Sequence, residues 1–124
     1  MEAYTLIAHF IGLLNNHDTK NLGDLMTPDH CLTDSWEKKV EGRQKVIRAW
    51  EGYFNLFPDY FIEIDQIMGN ENLWIVLGHA RNLGSDPHRN WRLPACWKVE
   101  VRNDQVHKWQ VYCDTQIPQQ TLNL

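Results

Sequence analysis

The sequence predicts an α+β domain, with helices first and sheet second. Three observations carry this. In the first half apolar residues recur at three- and four-residue intervals. In the second half they alternate with polar ones. Turn-forming residues separate the alternating runs.

The first helix spans 3–16, where Ala3, Leu6, Ile7, Phe10, Leu13 and Leu14 share one stripe and His9 and Asn16 lie on other faces. Asn15-Asn16-His17-Asp18 breaks it. Asp18 is placed as the N-cap of a short second helix through Leu22, Leu25 and Met26, ended by Thr27-Pro28-Asp29. A strand over 30–36 follows, with Leu32, Asp34 and Trp36 on one face and Cys31, Thr33 and Ser35 on the other. Lys38-Lys39-Val40-Glu41-Gly42 reads as a turn. Gly42 then opens a third helix to Phe57, whose stripe of Val46, Ile47, Trp50, Tyr53, Phe54 and Phe57 is strongly aromatic. Pro58-Asp59 stops it.

Four further stretches read as strands. Residues 60–68 end at a Gly69-Asn70 turn, and 73–81 run into a loop holding Gly84, Pro87 and His88. Residues 91–102 and 106–114 are joined by a short hairpin connection at Asn103-Asp104. Ala95, Trp97, Val99 and Val101 alternate with Cys96, Lys98, Glu100 and Arg102, and Trp109, Val111 and Cys113 oppose Gln110, Tyr112 and Asp114. Residues 1–124 read as a single domain, with a polar tail after Ile117-Pro118.

Composition narrows the function. Twelve Lys and Arg against sixteen Asp and Glu leave a net charge of −4, and 43% of residues are hydrophobic, an ordinary globular mixture. Mild acidity argues against nucleic-acid binding, which needs a basic stripe. The cluster His88-Arg89-Asn90-Trp91-Arg92 is too short to change that. No apolar run approaches the roughly 20 residues of a spanning helix, so no membrane partner is expected. The opening Met1-Glu2-Ala3-Tyr4 carries an acid where a secretory leader carries base, so no leader is expected. Three cysteines, Cys31, Cys96 and Cys113, without a C-x-x-C pair, point to a reducing compartment and hence the cytoplasm. Metal-ligand spacings, phosphate-binding glycine loops and nucleophile elbows are missing, and no metal or cofactor is expected.

A twisted sheet wrapped round a long helix leaves one end open, and the inward faces here are rich in Trp and Phe. That is the lining of a site for a small hydrophobic ligand. Trp50, Phe54 and Phe57, with Trp97 and Trp109, are core, pocket wall or both; Trp36, Tyr53 and Trp74 serve as pocket or interface residues. Asp34 shares its face with Leu32 and Trp36. An inward carboxylate there suits proton transfer; the alternative is a structural Asp bonded to the loop at Lys38-Lys39. His79 is a second acid/base candidate whose side of the sheet the pattern leaves open. Leu73, Ile75, Leu77 and Tyr112 give the outward faces enough apolar area to predict a homodimer.

Four stretches together resemble the nuclear-transport-factor-2-like superfamily, and within it the SnoaL-like branch. They are Asn16-His17-Asp18; Pro28 through Asp34; Val40 through Ile47, leading through Trp50 to Phe57-Pro58-Asp59; and Pro94 through Val99 with Val106 through Asp114. The resemblance implies a cone-shaped α+β barrel, with three N-terminal helices on a strongly curved, mostly antiparallel sheet enclosing a pocket. It also implies dimerisation through the open sheet face. In ketosteroid isomerases of this superfamily the base is an Asp on the first strand, a place that Asp34 matches. Their two oxyanion donors fall here on Phe10 and on Trp97, or Cys96 if the register slips. Phe has no donor and Trp only an indole N–H, so steroid isomerisation is not expected. Some SnoaL-like cyclases use an Asp late in the chain, which makes Asp114 a further catalytic candidate. The ligand-binding set is then Phe10, Trp36, Trp50, Phe54, Phe57, Trp97 and Trp109. The resulting expectation is either a cofactor-independent isomerase, cyclase, dehydratase or hydrolase using Asp34, or a non-catalytic ligand-binding or dimerisation module.

Overall fold

Helix α1 (Ala3–Asn15) buries Leu6, Ile7, Phe10, Ile11 and Leu14, the stripe its spacing dictates. The structure, a computed structural model, describes residues 1–114, so the tail expected after Ile117-Pro118 lies outside the described residues. Asp18 caps α2 (Thr19–Asp24) as expected, its carboxylate accepting from the Asn21 N–H at 3.2 Å.

The stretch after α2 departs from the sequence reading. Leu25 and Met26 do not continue the helix, because the Leu25 carbonyl accepts from Val106 N–H at 2.7 Å and Met26 pairs with Val106. Strand β1 therefore runs Met26–Thr33 rather than over 30–36. Pro28, which has no N–H for a ladder, lies in the irregular stretch between Met26 and Cys31. The strand ends before Asp34, whose N–H donates to the Lys38 carbonyl at 2.9 Å and closes a hairpin. The expected turn at Lys38–Gly42 holds instead the short strand β2 (Lys39–Glu41), antiparallel to β1. Asp34 and Trp36 thus leave the strand face they were expected to share with Leu32.

Gly42 is the N-cap of α3 (Arg43–Leu56) at φ 103°, a conformation that an L side chain strains to adopt. Strands β3 (Tyr60–Asn70), β4 (Leu73–Asn82), β5 (Trp91–Arg102) and β6 (Gln105–Cys113) form an antiparallel meander. The first turn falls at Glu71-Asn72, since Gly69 and Asn70 are still paired with Trp74 and Leu73. The last falls at Asn103-Asp104, both with positive φ (52° and 60°), as a two-residue hairpin turn requires.

The six strands lie in the order β2-β1-β6-β5-β4-β3, and β1 runs parallel to β6. Bulges at Ile64/Gln66 and Glu100/Val101 add curvature. Opposite the first, Gly78 lets β3 come close: a Cβ there would lie 1.9 Å from the Glu63 carbonyl oxygen. The helices cover the concave face, where Trp91, Leu93, Ala95, Trp97, Val99 and Val101 of β5 are all buried.

Candidate functional site

At one end of the concave face the rings do not close, leaving a cavity of about 390 Å³. Helix α3 supplies Trp50 and Tyr53 to its wall, because positions three apart share a helix face, and its C-cap residue Phe57 follows them. Strand β5 supplies Trp91, Leu93 and Trp97, and β6 supplies Trp109, Val111 and Cys113, alternate residues of each strand. The β1–β2 hairpin closes the remaining side with Asp34, Ser35, Trp36 and Lys38.

Asp34 lines this cavity while holding its own hairpin. One carboxylate oxygen, Oδ1, accepts from the N–H groups of Trp36 and Lys38, both at 2.9 Å. Among the described residues Oδ2 makes no hydrogen bond. The carboxylate is held by one atom and leaves the other available.

Four of the wall's five indole N–H groups, all but that of Trp36, are not available in the same way. Those of Trp50, Trp91, Trp97 and Trp109 are buried without an oxygen partner. Instead the rings pack on one another: Trp91 meets Phe57 edge-on at 5.3 Å, and Trp50 meets Tyr53 edge-on at 5.9 Å. The phenols differ. Neither the Tyr53 nor the Tyr60 hydroxyl has a hydrogen-bond partner among the described residues, yet neither belongs to the sealed polar atoms. Both residues line the cavity. Burial pushes both phenols above the usual tyrosine range, with the neighbouring Cys113 adding to it, so they remain protonated donors. The Cys113 thiol is pushed up by burial and is already paired with Ser35 Oγ at 3.0 Å.

The sequence-predicted site residues separate into two groups. Asp34, Trp36, Trp50, Phe57, Trp97 and Trp109 come together around the cavity. Phe10 lies behind the wall, fully buried with its ring 5.0 Å from Trp109, and Phe54 stacks on His17 at 3.9 Å. His79 is on the convex face, where β4 alternation puts it with Arg81; its Nδ1 is 3.6 Å from Asp65, the extra residue of the β3 bulge. Asp114 stands exposed just past the end of β6. Tyr53, read as a pocket or interface residue, lies in the wall, and Tyr60 and Trp91 are lining residues the sequence reading left out; Trp91 has the same strand parity as Trp97, which is the signal that finds it.

One buried titratable group stands outside the cavity. His30 is fully buried beside Phe10, and its Nδ1–H donates to the Val106 carbonyl at 2.7 Å, which leaves Nε2 as an unpartnered lone pair. Burial lowers its pKa to about 4, so the ring is neutral at pH 7. Among the described residues no group of three His, Cys, Asp or Glu side chains is placed to hold a metal ion. No helix among them is long and apolar enough to cross a membrane.

Comparison with known proteins follows the fold. The family model described as "SnoaL-like domain" matches residues 7–109. A Shewanella denitrificans OS-217 structure, provisionally described as a SnoaL-like polyketide cyclase, superposes with a TM-score of 0.83 at 15% identity, over 97% of this chain and 96% of that one. A Catenulispora acidiphila protein with a ketosteroid isomerase-like fold, solved with trimethylamine, gives 0.83 at 12% identity, over 96% and 92%. An epoxide hydrolase-like structure from M. tuberculosis gives 0.78 at 12% identity, over 96% and 87%. At these identities the likeness is one of fold. No curated protein matches the sequence.

Proposed function

The chain belongs to the SnoaL-like domain family, and from that premise we propose that it binds a small hydrophobic molecule in the cavity and that Asp34 moves a proton on it. One observation carries the reading: an aromatic cavity of about 390 Å³ with a carboxylate in its wall that keeps one oxygen free. The two N–H bonds to Oδ1 fix the orientation of the group before any ligand arrives, the preorganisation a general base needs. An isomerase, cyclase or dehydratase working on a carbonyl compound, without a cofactor, fits this arrangement. The named roles of the structural neighbours, a cyclase and an epoxide hydrolase, lie in the same range of chemistry.

A thermal-shift screen of small carbonyl and aromatic compounds tests the binding step. A ligand at 100 times its Kd adds about 2.7 kcal/mol of stability. Compounds that bind are then followed for conversion by the parent and by Asp34→Asn. Binding with conversion that depends on Asp34 supports the proposal. Binding without any conversion supports a second reading, a ligand-binding module, which the bonds of Asp34 to Trp36 and Lys38 N–H favour by giving it a purely structural task.

The proposal extends to assembly and place. On the convex face Leu77, Cys96 and Tyr112 lie side by side across three strands, with Leu77 36% and Tyr112 48% exposed. A second copy of the chain is the partner proposed for that apolar row. His79, on this face, then belongs to the dimer contact rather than to the cavity. The three free cysteines fit a reducing compartment, and the cytoplasm is proposed on that ground.

A further inference from the structure

The cavity sorts its polar groups into three kinds. Four of the five indole N–H groups are sealed behind ring packing. Cys113 is taken up by Ser35, and Asp34 Oδ1 by the hairpin. What remains open on the cavity includes Asp34 Oδ2 and the hydroxyls of Tyr53 and Tyr60, beside Lys38 and the Trp36 indole on the hairpin side. The two phenols come from different elements, the last turn of α3 and the first residue of β3, and their rings meet edge-on with centroids 5.1 Å apart. With both hydroxyls unsealed and without a protein partner among the described residues, the touching Tyr53 and Tyr60 rings leave two donors free for a ligand.

We infer that Tyr53 and Tyr60 are a paired donor site for the carbonyl oxygen of the ligand, so that the cavity selects ketones over hydrocarbons of the same shape. This rests on the proposed binding of a small hydrophobic molecule and names the group that orients it. A carbonyl oxygen has two lone pairs and can accept from both phenols at once. The apolar lining strengthens each bond by lowering the local dielectric. Because burial holds both phenols protonated, they donate across the whole neutral and mildly alkaline range.

The test uses two flat molecules that share one ring skeleton, fluorene and 9-fluorenone, which differ by a CH₂ against a C=O. Binding is read from the intrinsic fluorescence of the wall tryptophans, for the parent, Tyr53→Phe, Tyr60→Phe and the double variant. The parent is expected to hold fluorenone at least threefold more tightly than fluorene. Each single variant is expected to lose roughly three- to tenfold in fluorenone affinity, the scale of one net hydrogen bond, and nothing for fluorene. Unchanged fluorene binding shows that the variant cavity is still formed. The infrared carbonyl stretch of bound fluorenone should lie lower in the parent than in the double variant, a shift that a loss of packing alone does not produce. Equal affinity for the two molecules, or a loss in the variants that is the same for both, overturns the donor pair while leaving cavity binding intact. If neither these two nor any member of the carbonyl and aromatic panel binds, the proposed function itself fails and the inference goes with it.

Discussion

The side-chain amide of Asn15 takes up both backbone groups of Ile62, donating to its carbonyl at 3.0 Å and accepting from its N–H at 2.8 Å. Ile62 lies on β3, the edge strand of the sheet, whose outward N–H and C=O groups would otherwise be open to a foreign strand. Two residues on, His17 Nε2 is 2.9 Å from the Tyr60 carbonyl, so the end of α1 is fastened to β3 at two points.

Asn15→Ala should therefore cost about 1–3 kcal/mol, because two part-buried backbone groups lose their partner at once. Asn15→Asp keeps the acceptor for Ile62 N–H and loses the donor, so it should fall between parent and Ala. Urea denaturation of the three proteins reads the order. A change below half a kcal/mol for Asn15→Ala would mean that water replaces the amide at this edge.

Asp34→Asn retains an oxygen that can accept from Trp36 and Lys38 N–H, so its melting temperature should stay close to that of the parent. Conversion of a bound carbonyl compound should drop by at least about a hundredfold, the scale of lost acid/base catalysis. Asp34→Ala removes the acceptor as well and should cost about 1 kcal/mol through the hairpin. A variant that melts normally and converts substrate at the parental rate would leave Asp34 with its structural task alone.

His30 predicts an acid-sensitive fold. Its folded pKa is about 4 against a usual value of 6.5, so the unfolded chain takes up a proton more readily than the folded one. The stabilisation is present above pH 6.5 and is lost as pH falls from there towards 4, by an amount on the order of 3 kcal/mol. His30→Gln, which can still donate to the Val106 carbonyl, should flatten the stability profile between those pH values. Denaturant midpoints at a series of pH values decide it, and an equally steep profile in the variant would assign the acid sensitivity to other groups.

Gly78→Ala is expected to be the most damaging single-methyl change on β4. The added Cβ would lie 1.9 Å from the Glu63 carbonyl oxygen, so one strand must move away from the other. We expect a loss of more than about 2 kcal/mol, or no folded protein. Gly12→Ala, whose Cβ meets nothing within 4 Å, serves as the benign control, since Ala is the better helix former.

Sedimentation should give a species of twice 14.7 kDa at micromolar concentration. Leu77→Glu, placed at the β4 end of the convex apolar row, should shift it to the monomer without lowering ligand affinity. A monomeric parent would remove the dimer from the proposal.

The periodicities in the sequence were enough for α1, α3 and the β5–β6 hairpin, because each has a long one-sided pattern that local chemistry does not contradict. They failed where tertiary pairing overrules local preference. Met26 continues a helical spacing, yet β6 draws it into a strand. Asp34 continues a two-residue alternation, yet its own carboxylate gathers the next N–H groups into a turn. Of the candidate site, Trp97 and Trp109 were legible by alternation, as was Trp50 by helical spacing, while Trp91 carried the same alternation unread. Tyr60 was not, since it opens a strand directly after a helix stop and no pattern tells which side its first residue faces. Whether Phe10 touches a cavity or lies behind one is also beyond periodicity, which gives direction but not depth.

The parallel pairing of β1 with β6 has a consequence for synthesis. On the side away from β2, Cys31, Leu32 and Thr33 find their partners at Lys108, Trp109 and Gln110, so the emerging chain carries that side of its first strand unpaired until β6 has left the ribosome. Helix α3 emerges in the interval with Trp50, Phe54 and Phe57 uncovered, because the strands that roof them come later. A nascent chain halted before Trp109 has no cavity to offer a ligand, and those rings would be surfaces for chaperones instead.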